Sequence, residues 1–467
     1  MSRWLLIRLF HGYFPIRTFV LGVSEACLIA LSFVAASIVR LGTNDATLML
    51  RYEQGLLKIV LLSAAFSICM YYFDLYDSSI LSDRREVFGR LVQVLGTMCI
   101  LVAVVYFLYP HLELGRGIIL IGLLIVVIIL AVWRGLFFAL NDGSRFAERV
   151  LIFGDGPLAE SLIAELGARP ELGLQVVGQV KSHENKNSSF SFGDDRDDRF
   201  SNLIETYNPK RIVVAMDQRR GNLPVESLFH LKSQGVRIQE GAELYEAATG
   251  KLPIESLRLS WLLFSPGAAV SRPVEICKLA SSVICSTLGL ILSTPLMVLI
   301  ALAIRLDSHG PAILRQKRVG LNGKIFTLFK FRTMMNGVDQ EENHRPAERT
   351  DSRFTRLGKV LRRTHMDELP QLFNILRGDM HFVGPRPFVP NQEQECLEKI
   401  PYYRQRWVVK PGATGWAQVN RGYNATIEDN TDKLAYDLFY IKNLSVTLDL
   451  LILFKTVKIL ILGHGGQ

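Results

Sequence analysis

Residues 276–306, ICKLASSVICSTLGLILSTPLMVLIALAIRL, form one long apolar run with Pro295 near its middle. The run is longer than the about 17–25 residues that a helix needs to cross the hydrocarbon core of a bilayer. Proline removes a backbone donor and clashes with the preceding turn, so Pro295 can break the helix. The hydroxyl of Ser293 or Thr294 can take up a carbonyl that the break frees. Two interpretations follow: a helix that enters the membrane and returns to the same side, or a spanning helix with a mild kink.

Four further apolar stretches precede this run, and each is long enough to cross a bilayer. A buried soluble bundle is the alternative, but four such stretches in succession favour membrane helices. Arginines are most frequent before the first stretch, between the second and third, and after the fourth, so the positive-inside rule places both ends of this unit in the cytoplasm. The residues after 306 are also basic, which favours the returning helix. The four stretches are 18–39, 56–73, 91–109 and 117–140.

The region of about 147–262 alternates strand-like and helix-like segments, which predicts a parallel α/β sheet. Gly154, Gly156 and Ala159 form a GxGxxA turn, which can place a pyrophosphate at a helix N-terminus. The polar segment 181–198 contains no clear acid for a ribose. A bound nucleotide and a regulatory or dimerising module therefore both remain open. The strands are expected within 148–166, 176–182, 211–217 and 235–240.

The segment 310–334 predicts short strands around a turn at 321–323. Lys330 and Arg332 alternate with apolar residues, so they fall on one side of the extended chain. They indicate either a solvated strand face or a strand that grips phosphate. The charge-rich segment that follows, 336–354, suggests a mobile lid.

An amphipathic helix with a basic face that includes Arg363 is expected over 354–364, where it can lie on anionic headgroups or point at a ligand. Asp367 and Glu368 follow side by side. Pro370 fits only the first turn of a helix, so a helix begins close to Asp367. Asp367 can therefore be a helix N-cap and Glu368 a first-turn acid. Adjacent acids among arginines also suit a phosphoryl-transfer site with a divalent metal.

Two later segments support a phosphate site. GDMHFVGPRP (378–387) places Arg386 between two prolines, which restrict the backbone and aim the guanidinium. KPGATGWAQVN (410–420) is rich in glycine and carries the polar side chains of Thr414 and Gln418, which can hold a nucleotide base or sugar. An ordinary turn before a strand is the alternative.

The composition fits a membrane protein that handles anions. Hydrophobic residues make up 49% of the 467 residues and the net charge is +9, which suggests phosphate-bearing ligands, an anionic membrane face or nucleic acid. The six cysteines show no CxxC spacing, so we expect reduced thiols and neither a disulfide framework nor a zinc site. The segment 444–462 carries Lys455 and Lys458 in an apolar run, which suits a helix in the membrane interface.

The motifs KFRTM, DELPQLFNILRGDMHFVGPRP and KPGATGWAQVN together resemble the bacterial sugar transferase family, the polyprenyl-phosphate hexose-1-phosphate transferases that start exopolysaccharide and O-antigen synthesis. The resemblance covers roughly 272–467. The upstream region resembles that of the large members. It implies a four-helix transmembrane domain at 1–145, a Rossmann-like α/β domain at 146–265, and an α/β monotopic phosphoglycosyl transferase domain at 270–467 with a re-entrant helix at about 273–306.

The resemblance also implies roles for single residues. Asp367 matches the nucleophile that attacks the β-phosphate of a UDP-sugar, so that UMP leaves and a phosphosugar–aspartyl intermediate forms. Polyprenyl (undecaprenyl) phosphate then accepts the phosphosugar. Glu368 matches the partner acid, and Mg²⁺ is the expected metal on the two carboxylates. Thr294 and Pro295 stand where the family has a Ser-Pro helix break. Phosphate and nucleotide-sugar binding is expected from Lys330, Arg332, Arg363, Arg386, Thr414 and Gln418.

Further expectations concern the surroundings of the protein. The resemblance implies a multi-pass protein of the bacterial cytoplasmic membrane that contacts membrane lipid, forms a homodimer and has no nucleic-acid partner. The catalytic domain is expected on the cytoplasmic face. A spanning helix at 276–306 would put Asp367 on the side without UDP-sugar, so the resemblance favours the re-entrant interpretation.

Two other functions are conceivable from the sequence. A membrane-anchored nucleotide-sugar epimerase or dehydratase would need a Tyr-xxx-Lys pair beside the dinucleotide turn. Tyr207 and Tyr245 are the tyrosines of 147–262, and neither has a lysine four positions later, which counts against it. A non-catalytic membrane scaffold would not need the acid pair among arginines.

Overall fold

The computed structural model describes residues 6–9, 12–77, 84–140, 147–180, 206–216, 223–257, 272–335, 353–421 and 426–462. The chain divides into two compact units. Met1–Arg8 and Tyr13–Glu240 form the first, and Leu9–Gly12 and Gly241–Gln467 form the second. The lid expected at 336–354, except for its last two residues, and the polar segment 181–198 lie outside the described residues. The domain boundaries expected at 145 and 265 stay predictions.

The described part of the chain begins with strands β1 (Leu6–Leu9) and β2 (Gly12–Pro15), and long helices of the first unit follow. All four apolar stretches are helical, as predicted. A short helix in the first connector was not predicted. Within the described residues, five helices are long and apolar enough to cross a membrane by length and composition, and the fifth is Arg272–Asp307. The helices of this part are α1 (Ile16–Leu41), α2 (Thr43–Tyr52), α3 (Gly55–Tyr72), α4 (Arg84–Leu108) and α5 (Arg116–Leu140).

A buried ion pair joins α1 to α5. Arg134 donates from Nε to Glu25 Oε1 at 2.6 Å and from Nη2 to Glu25 Oε2 at 3.1 Å. Both residues are buried. Charged side chains within apolar helices of this kind face the interior of the bundle and pair with one another. The pair therefore joins α1 and α5 across their buried faces.

The predicted parallel sheet is confirmed, with strand order β4-β3-β5-β6. Gly154 follows β3 with φ 143°, and a Cβ there would lie 2.2 Å from the carbonyl oxygen of Ala215. Only glycine allows the chain to pass so close to the end of the neighbouring strand. The elements are β3 (Glu148–Phe153), α6 (Pro157–Ala168), β4 (Leu174–Val180), β5 (Arg211–Val214), α7 (Val225–Ser233) and β6 (Arg237–Glu240).

The second unit contains one long apolar helix, an antiparallel hairpin, a short parallel strand pair and several helices. The hairpin turns at Leu321–Gly323 and pairs Ile313 with Phe331, as the alternation at 310–334 predicts. Its elements are α8 (Gly241–Thr249), α9 (Arg272–Asp307), β7 (Ile313–Val319), β8 (Ile325–Phe331), α10 (Arg356–Arg363), α11 (Gln371–Arg377), β9 (His381–Val383), α12 (Pro390–Lys399), β10 (Gly412–Thr414), α13 (Trp416–Asn420), α14 (Ile427–Lys442) and α15 (Val446–Leu462).

Helix α9 is one helix of 36 residues with Pro295 inside it. Pro295 leaves the carbonyl of Ile291, four residues earlier, without its helical donor. The Thr294 hydroxyl donates instead to the carbonyl of Leu290 at 2.5 Å, and the Ser293 hydroxyl to the sulfur of Met297 at 3.5 Å. The expectation that one of these hydroxyls takes up the freed carbonyl is therefore wrong, because both rotamers direct the hydroxyl elsewhere along the helix.

The two faces of α9 differ. One face is buried against the other elements of the second unit along most of its length. The other face exposes large apolar side chains such as Leu292, Leu299 and Leu306. An exposed apolar face of this size indicates contact with lipid or protein. The buried face consists of Lys278, Ser282, Ser286, Leu290, Met297, Ile300 and Ile304.

Candidate active site

Asp367 and Glu368 lie in a 3-10 turn, Met366–Glu368, between α10 and α11. His365 precedes the turn in the left-handed conformation, with φ 55°, and the cap position of α11 belongs to Pro370. The predicted N-cap role of Asp367 is therefore wrong. The proline at the cap delays the start of the regular helix and leaves both carboxylates in the preceding turn.

Arg386 fixes Glu368. Its Nη2 donates to Glu368 Oε1 at 2.6 Å, and both side chains are about a quarter exposed. Burial raises the pKa of Glu368, but the charge and hydrogen bond of Arg386 outweigh it and hold this pKa below its usual range. Glu368 is therefore an ionised partner next to Asp367.

Asp367 has a different environment from its neighbour. Burial and the adjacent Glu368 charge raise the pKa of Asp367 to about 6, although Lys330, Arg386 and Arg362 lower it. A carboxylate with a raised pKa is more basic than an ordinary aspartate, and once deprotonated it is a better nucleophile. The two adjacent acids thus have distinct chemical properties.

Three cations act on Asp367, and one of them was not among the predicted site residues. Lys330 extends from β8, Arg386 from the segment after β9, and Arg362 from α10, where its guanidinium lies 4.4 Å from the ring centre of Phe354. Arg363, which was predicted, is exposed on α10. Arg362 is exposed as well. Adjacent helix positions point about 100° apart, and which of the two arginines faces the carboxylates depends on how α10 packs, which the sequence pattern does not give.

Arg332 lies elsewhere. Its guanidinium donates to the carbonyls of Ser308 and His309, at 2.7 and 2.9 Å, where α9 ends. It is buried, and its Nε has no hydrogen-bond partner among the described residues. Arg332 thus holds the end of α9 against β8, whereas Lys330 acts on the carboxylates.

The two glycine-containing motifs meet in a parallel strand pair. β9 pairs with β10, Thr414 opposite Val383, and Gly384 N donates to Thr414 O at 2.9 Å. A Cβ on Gly412 would lie 2.1 Å from Gly384 N, so this contact requires glycine. The chain that leads from β9 to Arg386 therefore leaves the strand pair next to the KPGATGWAQVN segment.

Thr414 and Gln418 are inside this segment. The hydroxyl of Thr414 lies 2.8 Å from that of Thr456 on α15. Gln418 Nε2 donates to Ala413 O at 3.4 Å, and its Oε1 is buried without a partner among the described residues. An unpaired buried acceptor of this kind is uncommon in folded proteins.

A buried polar cluster anchors β9 three residues before Arg386. Lys278 Nζ lies 2.8 Å from Asp449 and donates to Val383 O at 3.3 Å. Lys278 also bonds the hydroxyl of Tyr440, which lies 2.8 Å from Asp449. The cluster joins α9, β9, α14 and α15, and sequence reasoning missed it because its members are far apart in the chain.

Arg406 holds the main chain of Arg386. Its Nη2 donates to Arg386 O at 2.8 Å, and the same guanidinium pairs with Glu393 and Asp437 at 3.3 and 3.0 Å. All three charged residues of this cluster are buried. Arg386 is thus fixed through its backbone while its side chain reaches Glu368.

The carboxylates can hold a metal only together with a substrate. No group of three or more potential metal-ligating side chains occurs in the part of the chain that the structure describes. Mg²⁺ is usually bound by one or two carboxylates plus substrate phosphates and water. Asp367 and Glu368 fit that donor set and do not form a closed structural metal site.

The sequence model of the family described as "Bacterial sugar transferase" matches residues 274–463. A relative from Klebsiella pneumoniae, named UDP-glucose:undecaprenyl-phosphate glucose-1-phosphate transferase, is 42% identical over 66% of this chain and 67% of its own length. The chain belongs to the bacterial sugar transferase family. All residues of the candidate site lie inside the matched segment, and the four-stranded sheet and α1–α5 lie before it.

Two further relatives are named for a different sugar or for the polysaccharide product. A relative from Aeromonas hydrophila, UDP-N-acetylgalactosamine-undecaprenyl-phosphate N-acetylgalactosaminephosphotransferase, is 38% identical over 48% of this chain and 52% of its own length. Exopolysaccharide production protein PSS from Rhizobium leguminosarum bv. phaseoli is 37% identical over 39% of this chain and 94% of its own. The chain thus matches about half of the Aeromonas relative and nearly all of the Rhizobium relative.

Proposed function

We propose that the protein transfers a hexose 1-phosphate from a UDP-sugar to undecaprenyl phosphate, the initiating step of exopolysaccharide synthesis. The observation that carries the proposal is the carboxylate pair: Asp367 with a raised pKa beside a Glu368 that Arg386 keeps ionised. The names of the relatives support the same acceptor, with glucose or N-acetylgalactosamine as the sugar.

In the first step the Asp367 carboxylate attacks the β-phosphorus of the UDP-sugar. A bond forms between the Asp367 oxygen and phosphorus, and the bond from that phosphorus to the bridging oxygen breaks, so UMP leaves with the bridging oxygen. In the second step an oxygen of the lipid phosphate attacks the same phosphorus. The Asp367 carboxylate leaves, and a polyprenyl diphosphate sugar is formed.

The cations stabilise the charge that this transfer concentrates on phosphate oxygens. Lys330, Arg386 and Arg362 are the proposed diphosphate ligands, and the role of Arg363 stays a prediction. Asp367 and Glu368 would hold Mg²⁺ together with the substrate, and the ion would supply positive charge to the diphosphate. Arg332 serves the site by holding the end of α9, because its guanidinium donates to carbonyls there.

The segment that carries Thr414 and Gln418 is the proposed site for the nucleotide base or sugar. The buried, unpaired Gln418 Oε1 supports this, because a uracil N–H or a sugar hydroxyl would satisfy it. Thr414 contributes mainly by joining β10 to α15 through Thr456.

The proposed location is the cytoplasmic face of the bacterial cytoplasmic membrane, with α9 as a re-entrant helix in the lipid. The contacts of α9 support this. Lys278, near its start, and the carbonyls of Ser308 and His309, at its end, both contact the second unit. A helix with both ends on one domain does not carry that domain across a bilayer. The homodimer and a nucleotide at the Gly154 turn stay predictions.

The test is UMP release by the purified full-length protein with Mg²⁺, undecaprenyl phosphate and a panel of UDP-glucose, UDP-galactose and UDP-N-acetyl sugars. We expect release from one donor that depends on the lipid phosphate and is abolished in Asp367→Asn. Equal rates in Asp367→Asn would remove Asp367 from its role. No release from any donor would favour the scaffold.

A further inference from the structure

Residues 241–257 belong to the second unit, although they precede the segment 274–463 that the family model matches. They comprise α8 and the chain that follows it. The side chains of Leu252, Ile254 and Leu257 are buried in one core cluster with residues of α13 and α14. This segment is therefore an addition to the matched region that shares its hydrophobic core.

Polar contacts fix the segment to α14 and to the residue that follows α14. The buried carboxylate of Glu246 pairs with Lys442 and accepts from Asn443 Nδ2 at 2.8 Å. Further along the chain, Leu252 N donates to Ala435 O at 3.1 Å. The backbone between these contacts is thus held against α14.

Gly250 lies within this held backbone and contacts the first residue of α13. The indole Nε1 of Trp416 donates to Gly250 O at 2.8 Å, and a Cβ on Gly250 would lie 3.2 Å from Trp416 Cζ2. Gly250 has φ 69°, in the left-handed region that favours glycine. The Trp416 ring also stacks on Phe439 of α14, with ring centres 5.6 Å apart. The buried indole is thus held by α14 and by the Gly250 carbonyl.

Helix α13 depends on such contacts for its position. It has five residues, Trp416–Asn420, and an isolated helix of this length is not stable in water. The Asn420 side chain donates to Trp416 O at 2.8 Å, which ties the two ends of the helix together. Between them lies Gln418, whose buried Oε1 has no partner among the described residues. The place of Gln418 therefore follows from the contacts of Trp416.

We propose that Gly250 and Trp416 are positioning residues for the sugar-nucleotide donor, because together they set where α13 presents Gln418. The inference rests on the proposed function, in which Gln418 accepts a hydrogen bond from the uracil or the sugar. Neither Gly250 nor Trp416 touches the donor in this proposal. A displaced α13 weakens donor binding and leaves the acceptor step unchanged, since Arg386 is held separately by Arg406.

The test is steady-state kinetics of the full-length protein in detergent micelles, with the UDP-sugar that supports UMP release. Gly250→Ala adds a Cβ against the indole, and Trp416→Phe removes the N–H but keeps an aromatic ring on Phe439. Gly235→Ala is the matched control, because Gly235 is also left-handed, at φ 96°, but has nothing within 4 Å of an added Cβ. The measured quantities are kcat, the KM values for the UDP-sugar and for undecaprenyl phosphate, and the exchange of labelled UMP into the UDP-sugar, which needs no acceptor.

We expect Gly250→Ala and Trp416→Phe each to raise the KM for the UDP-sugar about tenfold, the factor that corresponds to ~1.4 kcal/mol. The KM for undecaprenyl phosphate and kcat should stay near the wild-type values. UMP exchange should need correspondingly more UDP-sugar to reach half its maximal rate. Gly235→Ala should leave all four quantities unchanged. The two variants change the same contact from opposite sides, so either one decides the question.

A fall in kcat with an unchanged donor KM would overturn the proposal, because a merely structural role lowers the amount of active enzyme without changing KM. An equal rise in the KM values for donor and acceptor would overturn it as well. Failure of the proposed function gives a different result: wild-type protein that neither releases nor exchanges UMP with any donor.

Discussion

At the scale of single residues, the site depends on how differently two neighbouring acids are placed. Glu368 faces Arg386 at 2.6 Å and stays ionised. For Asp367, one residue earlier, burial is the largest influence and raises its pKa to about 6. Adjacent carboxylates with separated pKa values are suited to different roles in one reaction. The pH dependence of the first half-reaction should report this difference.

The rate of UMP exchange should fall as pH drops through about 6, because Asp367 must be deprotonated to attack. Lys330 lowers the pKa of Asp367, so Lys330→Met should shift the midpoint of this acid limb to higher pH, besides lowering the rate. The measurement is the pH profile of exchange for both proteins. Lys324→Met, an exposed lysine at the hairpin turn, should keep the wild-type midpoint. A shift in the opposite direction would contradict the assignment of the limb to Asp367.

Arg386→Met should lower kcat of UMP release by about 10²-fold or more, the usual loss for one preorganised donor. Its effect on stability should be small, within ~1 kcal/mol, because the Glu368–Arg386 pair is partly exposed. Steady-state kinetics and thermal unfolding of the same sample separate the effect on kcat from the effect on stability. A large fall in Tm with little loss of kcat would show that Arg386 serves the fold and not the reaction.

At the scale of elements, buried polar contacts set the position of the segment that carries Arg386. Lys278 on α9 meets Asp449 on α15 and the carbonyl of Val383 on β9. Removing one member of a buried pair leaves the other charge without compensation. The same long helix is held at its end by Arg332. α9 is thus a long apolar helix of the second unit that also supports the candidate active site.

Lys278→Met should lower the free energy of unfolding by about 3–5 kcal/mol, because Asp449 keeps the Tyr440 hydroxyl but is left buried without a counter-charge. The double variant Lys278→Met with Asp449→Leu should lose clearly less than the sum of the single variants. Denaturant unfolding in micelles checks this double-mutant cycle. Additive losses would mean that the two side chains are not energetically coupled.

Gly358→Ala should destabilise the second unit by about 1–3 kcal/mol, because its Cβ would lie 2.0 Å from the carbonyl oxygen of Thr333. The contact brings α10, which carries Arg362, against the end of β8. Thermal unfolding and UMP release should therefore fall together. Gly167→Ala is a suitable comparison, since nothing lies within 4 Å of its added Cβ. A neutral Gly358→Ala would show that α10 moves freely relative to β8.

At the scale of the whole molecule, the arrangement in the membrane follows from α9. A spanning α9 and a re-entrant α9 have the same hydropathy and differ only in which side receives residues after 307. The contacts of both ends of α9 with the second unit favour the re-entrant form. The direct test is the side of the membrane on which each flank is accessible.

Arg272→Cys and Lys324→Cys, in a background with the native cysteines replaced by alanine, should both react with a membrane-impermeant maleimide in inside-out vesicles and not in intact spheroplasts. Asn44→Cys, in the connector after α1, should show the opposite pattern, because that connector lies across the first helix. Labelling of Arg272→Cys and Lys324→Cys from opposite sides would establish a spanning α9 and contradict the re-entrant interpretation.

Local patterns were enough to predict the elements. Apolar runs of membrane length predicted α1, α3, α4, α5 and α9, and the alternation at 310–334 predicted the hairpin. The start of α11 was missed because proline occupies its cap, and the connector helix α2 has no apolar run to indicate it. Such patterns depend on neighbours within a few residues, which is why they can be read without the fold.

By itself, the sequence determined the apolar helices, the α/β alternation and the acid pair at Asp367 and Glu368 with basic residues nearby. The tertiary structure decided which basic residues matter: Arg386 reaches Glu368, Arg362 acts on Asp367, and Arg332 turns away to the end of α9. The physical reason is that pairing and burial join residues far apart in the chain. The free energy of a charge depends on those neighbours and on how much water the fold leaves around it.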